Sequence, residues 1–510
     1  MKAVAVPENK PGRFPELLSF FRKNQINFLI LLVYILLHIF LISQHEPVRD
    51  EAQAWTIAGN TSLPELFSVL SEEGHPALWF LFLRPFAKLG FPYAGLSFLS
   101  LLLTSFALAV LLFRSGFSLP AKLCIACSSL FLYYNPVIAR VYAIIPLTVF
   151  LIADFWKERR QHPILIGILI ALLFQSHIVM AGFAGGLLFI LFLDLFRKEQ
   201  RSRKSAAGLL IGFCGAAATF FELYQFDTDA THYIDSSAGS ILSRISLGSF
   251  LQGLRQIISA LWPFERGFSM ITGSSALFLY ILFLAGAVFL PVLWGITAAR
   301  SGKLHFYLEL LIALFCGVGF IVAVYAWVYE VLYQTLTCIL AILVFFFWSL
   351  PSCLRTERQK KTAATILSLL FLMSAPTAVK AAVGDVRFSC SDAENTAVYM
   401  AEILPEGSVV AVRSNSFVPS VCAPLSSLRP DLRLVNIDTG LDFTVYDWTV
   451  SPERSAEELT EAALLLADTE HVYYLSPVPF DFTGSFSDCI YQSPVEGSTW
   501  EEEFALFRLR

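Results

Sequence analysis

The chain has 510 residues, of which 56% are hydrophobic and only 15% charged, with a net charge of −5. That composition excludes a string of soluble domains, a disordered chain and a coiled coil, and no basic stripe alternates with aromatics as a nucleic-acid binder requires. Apolar runs of the roughly 20 residues needed to cross a bilayer recur from Asn27 to about Lys380, which makes this a polytopic integral membrane protein.

In chain order, residues 1–26 form a basic amino-terminal segment on the cytoplasmic side, and 27–44 is the first span rather than a removed signal, since no small-residue cleavage site follows it. Basic clusters then recur at Arg114/Lys122, Lys157/Arg159/Arg160, Arg197 to Lys204, Arg300/Lys303 and Arg355 to Lys361. Under the positive-inside rule each lies on the cytoplasmic side. Spans are expected at 27–44, 95–113, 122–135, 140–156, 163–177, 179–196, 205–223, 275–297, 305–325, 332–350 and 362–380. About eleven crossings place the amino terminus inside and the carboxy terminus outside.

Residues 45–94 form a long external loop with a helical pattern. Asp50 to Trp55 opens a helix that Gly59-Asn60 ends, Ser62-Leu63-Pro64-Glu65 is a capping box, Gly74 stops the second helix, and a third runs from Ala77 to Leu89. A second external stretch begins at Tyr224. Cys124 and Cys127 form a C-x-x-C inside an apolar run, read as packing residues on one helix face.

Residues 381–510 differ in kind. They hold 21 Asp and Glu against seven Arg and no Lys, a formal −14, whereas the first 380 residues carry +9. Strand-like runs 408–412, 432–437 and 471–475 alternate with helical patterns at 393–404 and 455–468, the order of a small extracytoplasmic α/β domain with a mainly parallel sheet. Its three cysteines, Cys390, Cys422 and Cys489, can hold one disulfide in an oxidising compartment.

The residues able to carry chemistry gather on the expected outer face. Asp50 and Glu51, at a helix amino terminus, form either a general base or metal ligand, or an ordinary helix-terminal charge pair. Arg140 sits between two apolar segments, where a planar, permanent cation either clamps a phosphate, with Tyr142 beside it, or snorkels among lipid headgroups. His75 precedes Pro76 at a helix start, and His177 lies near the outer end of two short spans; each reads equally as a ligand-binding or a structural histidine. Glu222, Asp227, Asp229 and His232 match no specific metal spacing and read as a solvated loop, and Glu330 lies among interfacial aromatics.

Arg49-Asp50-Glu51-Ala52-Gln53-Ala54-Trp55 after a first span, then Glu73-Gly74-His75-Pro76-Ala77-Leu78-Trp79 and Val137 to Tyr142, resemble the GT-C superfamily of polytopic glycosyltransferases. The likeness is to the bacterial branch related to protein O-mannosyltransferase and aminoarabinose transferase. It differs in having Asn135 where that branch often has an acidic residue, and Val328-Tyr329-Glu330 where it has an Arg-His pair. The resemblance implies a hexosyl or pentosyl transferase in a bacterial plasma membrane, with a polyprenyl-phosphate sugar as donor and a lipid, polysaccharide or protein as acceptor. Asp50 is then the base, or a ligand for a divalent metal such as Mg or Mn, and Glu51 supports it. His75 and His177 line the substrate site, and Arg140 with Tyr142 meets the leaving phosphate. The competing expectations are a non-catalytic carrier of lipid-linked glycan and an envelope scaffold derived from a transferase.

Overall fold

The computed structural model describes residues 19–197, 202–224, 246–249, 251, 274–328, 332–388, 391–445, 453–467, 469–494 and 502–510. The chain is a helical, multi-pass membrane protein that ends in a small α/β unit. Helix α1 (Gln25–Ile42) leads into three short helices, α2 (Arg49–Asn60), α3 (Leu63–Glu73) and α4 (Leu78–Lys88). Their boundaries follow local chemistry. Ser62 accepts from the Glu65 N–H while Glu65 accepts from the Ser62 N–H, and Gly74 ends α3 at φ 67°, a left-handed conformation that glycine adopts without strain.

The bundle continues with α5 (Gly95–Arg114), α6 (Leu119–Ala126), α7 (Ile144–Phe155), α8 (Pro163–Phe174), α9 (Ala181–Phe196), α10 (Arg203–Leu223), α11 (Ser274–Arg300), α12 (Leu304–Val328), α13 (Leu332–Ser349) and α14 (Glu357–Arg387). Among the described residues, six helices are long and apolar enough to cross a membrane: Gln25–Ile42, Gly95–Arg114, Ile178–Phe196, Arg203–Leu223, Leu304–Val324 and Glu357–Arg387. Pro163–Phe174, Val288–Arg300 and Leu336–Ser352 are apolar but shorter. The expectation of eleven full crossings is therefore not met.

The largest departure lies at 122–135 and 140–156. Helix α6 stops at Ala126 and α7 is 12 residues long, about 18 Å at 1.5 Å per residue. Between them the chain runs as turns from Cys127 to Arg140, because Ser128, Ser129, Asn135 and Pro136 interrupt the helix. Such backbone survives among spanning helices only where protein supplies its hydrogen bonds. His38 of α1 donates to the Leu132 carbonyl at 2.9 Å, and Ser100 of α5 donates to the Asn135 carbonyl at 2.6 Å. Asn135 donates to the Leu130 carbonyl at 2.9 Å, and the Ser129 N–H meets Ser374 Oγ of α14 at 3.3 Å. Leu130, Phe131, Tyr133, Val137, Ile138 and Ala139 are buried throughout this arm.

Helices α8 and α10 approach closely because Gly167 faces Gly208: a Cβ at Gly208 would run into the Pro163 carbonyl. At the opposite end of the bundle from α2–α4, Arg159 bridges Asp194 at 2.9 Å and Glu309 at 2.8 Å, and Arg197 joins the same two carboxylates. Two of the basic residues used to orient the chain are thus tied into a buried ion-pair network.

The carboxy-terminal unit contains α15 (Ala393–Ile403), α16 (Pro419–Leu428) and α17 (Ala456–Leu466) around a six-stranded sheet. The strands are β1 (Val409–Val412), β2 (Arg433–Asn436), β3 (Leu441–Asp442), β4 (Val472–Val478), β5 (Cys489–Gln492) and β6 (Glu503–Arg508), in the order β3-β2-β1-β4-β6-β5. The β1 pairings with β2 and β4 are parallel, but β2–β3, β4–β6 and β5–β6 are antiparallel, so the sheet is mixed rather than mainly parallel. Successive β1 side chains serve opposite cores: Val410 and Val412 pack with α15 and α16, and Ala411 with α17. Cys422 is buried and Cys489 exposed, both free thiols, while Cys390 lies outside the described residues. Cys124 and Cys127 are also free thiols.

Candidate active site

Helix α2 carries the first pair. Val48 is extended, and Glu51, one turn into the helix, reaches back to accept from the Val48 N–H at 3.0 Å. Its other oxygen accepts from the Ala139 N–H at 2.6 Å, which ties the irregular arm to the helix start. His45 Nε2 donates to Glu51 at 3.0 Å while its Nδ1 lies 2.9 Å from Asp385, a carboxylate that also accepts from Tyr133 at 2.8 Å. With a carboxylate oxygen at each nitrogen, His45 is a buried bridge between Glu51 and Asp385. Glu51 is wholly buried, so the structure places it beneath the site as an anchor. Glu51→Ala leaves His45 Nε2 and two backbone donors without their acceptor, and it should destabilise the protein by about 3–5 kcal/mol, read from thermal unfolding in detergent, with Glu51→Gln milder.

Anchoring Ala139 brings the next residue into place: Arg140 Nη1 lies 2.7 Å from Asp50 Oδ2. On the other side Arg49 forks onto Asp50 Oδ1 through Nε at 2.9 Å and Nη2 at 2.6 Å. Burial pushes the Asp50 carboxyl up, but Arg140 and Arg49 outweigh it and hold the group well below the usual carboxylate range. Its side chain remains 28% exposed, against 13% for Arg140.

The remaining expected residues adjoin this pair. The Arg140 guanidinium lies 5.7 Å from the Tyr142 ring centre. The Tyr142 hydroxyl is 2.9 Å from His177 Nε2, and the His177 and His75 ring centres are 4.8 Å apart. His177 Nδ1 accepts the Val179 N–H at 3.0 Å, which leaves the ring proton on Nε2 facing Tyr142. Burial, then the nearby His75 and Arg140, lowers the His177 pKa well below the ordinary value, and burial with Arg140 lowers that of His75 to about 3. Both imidazoles are neutral at physiological pH, and His75 Nδ1 is buried with no hydrogen-bond partner among the described residues. Glu222 accepts from the Ala77 N–H at 3.3 Å and from Gln175 at 2.9 Å, and so holds the turn that carries His75. Asp227, Asp229, His232 and Glu330 lie outside the described residues.

A divalent cation does not fit Asp50. Both carboxylate oxygens face guanidinium groups, and among the described residues no group of three or more His, Cys, Asp and Glu side chains could hold a metal.

Arg49, His45, Asp385 and Glu502 had no assigned part in the sequence reading. Arg49 stood in the quoted motif and His45 lies six residues before Glu51, whereas Asp385 and Glu502 lie far along the chain from their partners and left no local signal. Glu502 precedes β6, and both its oxygens accept from the Arg49 N–H, at 3.0 and 3.2 Å. Burial pushes its carboxyl up to about 7, opposed by the Arg49 N–H and guanidinium. The folded chain therefore holds a proton there that the unfolded chain has lost. This contribution is fully present below the ordinary glutamate range and disappears as pH rises through about 7. The melting temperature of the wild type should fall relative to that of Glu502→Gln between pH 5 and about 8, in thermal scans across that range.

Compared with protein-family models and with curated proteins, the chain matches none.

Proposed function

We propose that the protein is a membrane glycosyltransferase that moves a sugar from a polyprenyl-phosphate donor to an acceptor hydroxyl on the extracytoplasmic face. The observation that carries this reading is the Asp50–Arg140 contact at 2.7 Å: a partly exposed carboxylate and a guanidinium held together at the rim of the bundle, beside neutral His75 and His177.

Asp50 takes the proton of the acceptor hydroxyl as its oxygen attacks the anomeric carbon. The bond from that carbon to the phosphate oxygen breaks, and the polyprenyl phosphate leaves with the electron pair. Arg140 meets the developing charge, where a fixed cation in a water-poor site is most effective. In the resting site Arg140 also suppresses Asp50 as a base. A donor phosphate competes for that guanidinium, so donor binding frees Asp50 Oδ2 and raises its basicity only when there is a sugar to transfer. The two imidazoles add hydrogen bonds without a second charge to compete with Arg140 for the phosphate.

The test uses purified protein in nanodiscs with a panel of undecaprenyl-phosphate sugars and envelope-extract acceptors, followed by mass spectrometry. Consumption of one donor with formation of a glycosylated acceptor supports the reading. Donor left intact across the panel by folded protein refutes it.

A further inference from the structure

The carboxy-terminal unit does more at α2 than touch it. An α-helix begins with N–H groups that its own turns cannot satisfy. In α2 the Val48 N–H goes to Glu51, but the Arg49 N–H goes to Glu502, which lies 453 residues later. Glu502 is itself held from the carboxy-terminal side: Ser420 of α16 donates to it at 3.3 Å, and its carbonyl accepts from the Asp392 N–H at 3.1 Å. The Arg49 guanidinium lies 4.3 Å over the ring of Phe417, just ahead of α16. At the far end of α2, Asn60 donates to the Thr444 carbonyl at 2.9 Å. The helix is gripped at both ends by one soluble unit.

Asp50 is therefore oriented from two directions. Arg140, on the buried arm, fixes Oδ2, and Arg49, held by Glu502 behind and Phe417 below, fixes Oδ1. We propose that Arg49, Glu502 and Phe417 are positioning residues, and that the carboxy-terminal unit is an integral half of the Asp50 site which sets the direction of its carboxylate. The contacts stand independently of any reaction; their kinetic consequence rests on the transferase reading above. Under that reading Arg140 turns to the donor phosphate, while Arg49, stacked and backed, stays to aim the carboxylate.

The experiment uses the full chain in nanodiscs and has two arms. In hydrogen exchange with mass spectrometry, Glu502→Ala removes the acceptor of the Arg49 N–H and should speed exchange of the first turn of α2 by about fivefold, the worth of one ordinary hydrogen bond. Glu502→Gln keeps an accepting oxygen and should stay within about twofold of wild type, as should the exposed control Glu470→Ala. Phe417→Ala, at a 44% exposed side chain that folding tolerates losing, tests the same coupling without touching Glu502 and should speed exchange in the same direction. Unchanged exchange in both Glu502→Ala and Phe417→Ala overturns the proposal. In the kinetic arm, both variants should lower kcat about tenfold at unchanged donor KM, since a misplaced base slows the chemical step and not donor binding. Wild-type kcat in both variants overturns it too. If the wild type consumes no donor, the transferase reading fails and the exchange arm alone decides the coupling.

Discussion

Asp50→Asn should lower kcat for donor consumption by about a thousandfold, within the range of a lost general base, and leave donor binding nearly unchanged. The substitution preserves shape and an oxygen for one guanidinium, so any loss reflects proton transfer rather than collapse. A thousandfold loss is about 4 kcal/mol of transition-state stabilisation. Single-turnover kinetics with the donor identified in the panel would measure it. A variant that consumes donor at the wild-type rate would remove Asp50 from the chemistry, and a parallel loss of donor binding would assign it to the ground state.

Arg140→Lys is expected to reduce kcat/KM for the donor by about a hundredfold, mostly through KM, because a point ammonium replaces a planar fork. The change also tests the exchange of partners between Asp50 and phosphate. Lysine has the reach to contact Asp50 and retains the positive charge, so Asp50 stays depressed; what is lost is two-point recognition of the leaving group. Glu357→Gln, at an exposed position on α14, is the control. Equal kinetics in the two variants would leave Arg140 with a structural part only.

Local chemistry was legible in the sequence wherever it was also local in the structure. The three helices after α1 could be read almost residue by residue, since Ser62, Glu65 and Gly74 act on neighbours within one turn. Asp50, Arg140, Tyr142, His75 and His177 were expected on one face and do lie together. Hydropathy failed between Cys127 and Arg140 because this arm is as apolar as a span but is buried in protein instead of lipid. A hydropathy window cannot tell those two solvents apart. The contacts of Glu51 were not legible, because its partner His45 is in turn partnered by Asp385, 340 residues away. The Glu502 contact with Arg49 is likewise beyond any local pattern. The mixed sheet escaped because β3 is only Leu441–Asp442, β5 is the short Cys489–Gln492, and the Phe504–Phe507 run of β6 follows directly on three glutamates.

The buried arm also constrains how the protein is made. Its Ser129 N–H is met by Ser374, which leaves the ribosome 245 residues later, and Tyr133 waits for Asp385, 252 residues later. When Asp50, His75 and Arg140 are already in the chain, the arm that presents Arg140 can meet His38, Ser100 and Glu51 but still lacks its two contacts from α14. Helix α14 completes the hydrogen bonds of the arm, and it is also the helix that leads into the carboxy-terminal α/β unit that meets α2. A partly synthesised chain can hold every residue of the Asp50–Arg140–His177 group while the arm that presents Arg140 still lacks its α14 contacts.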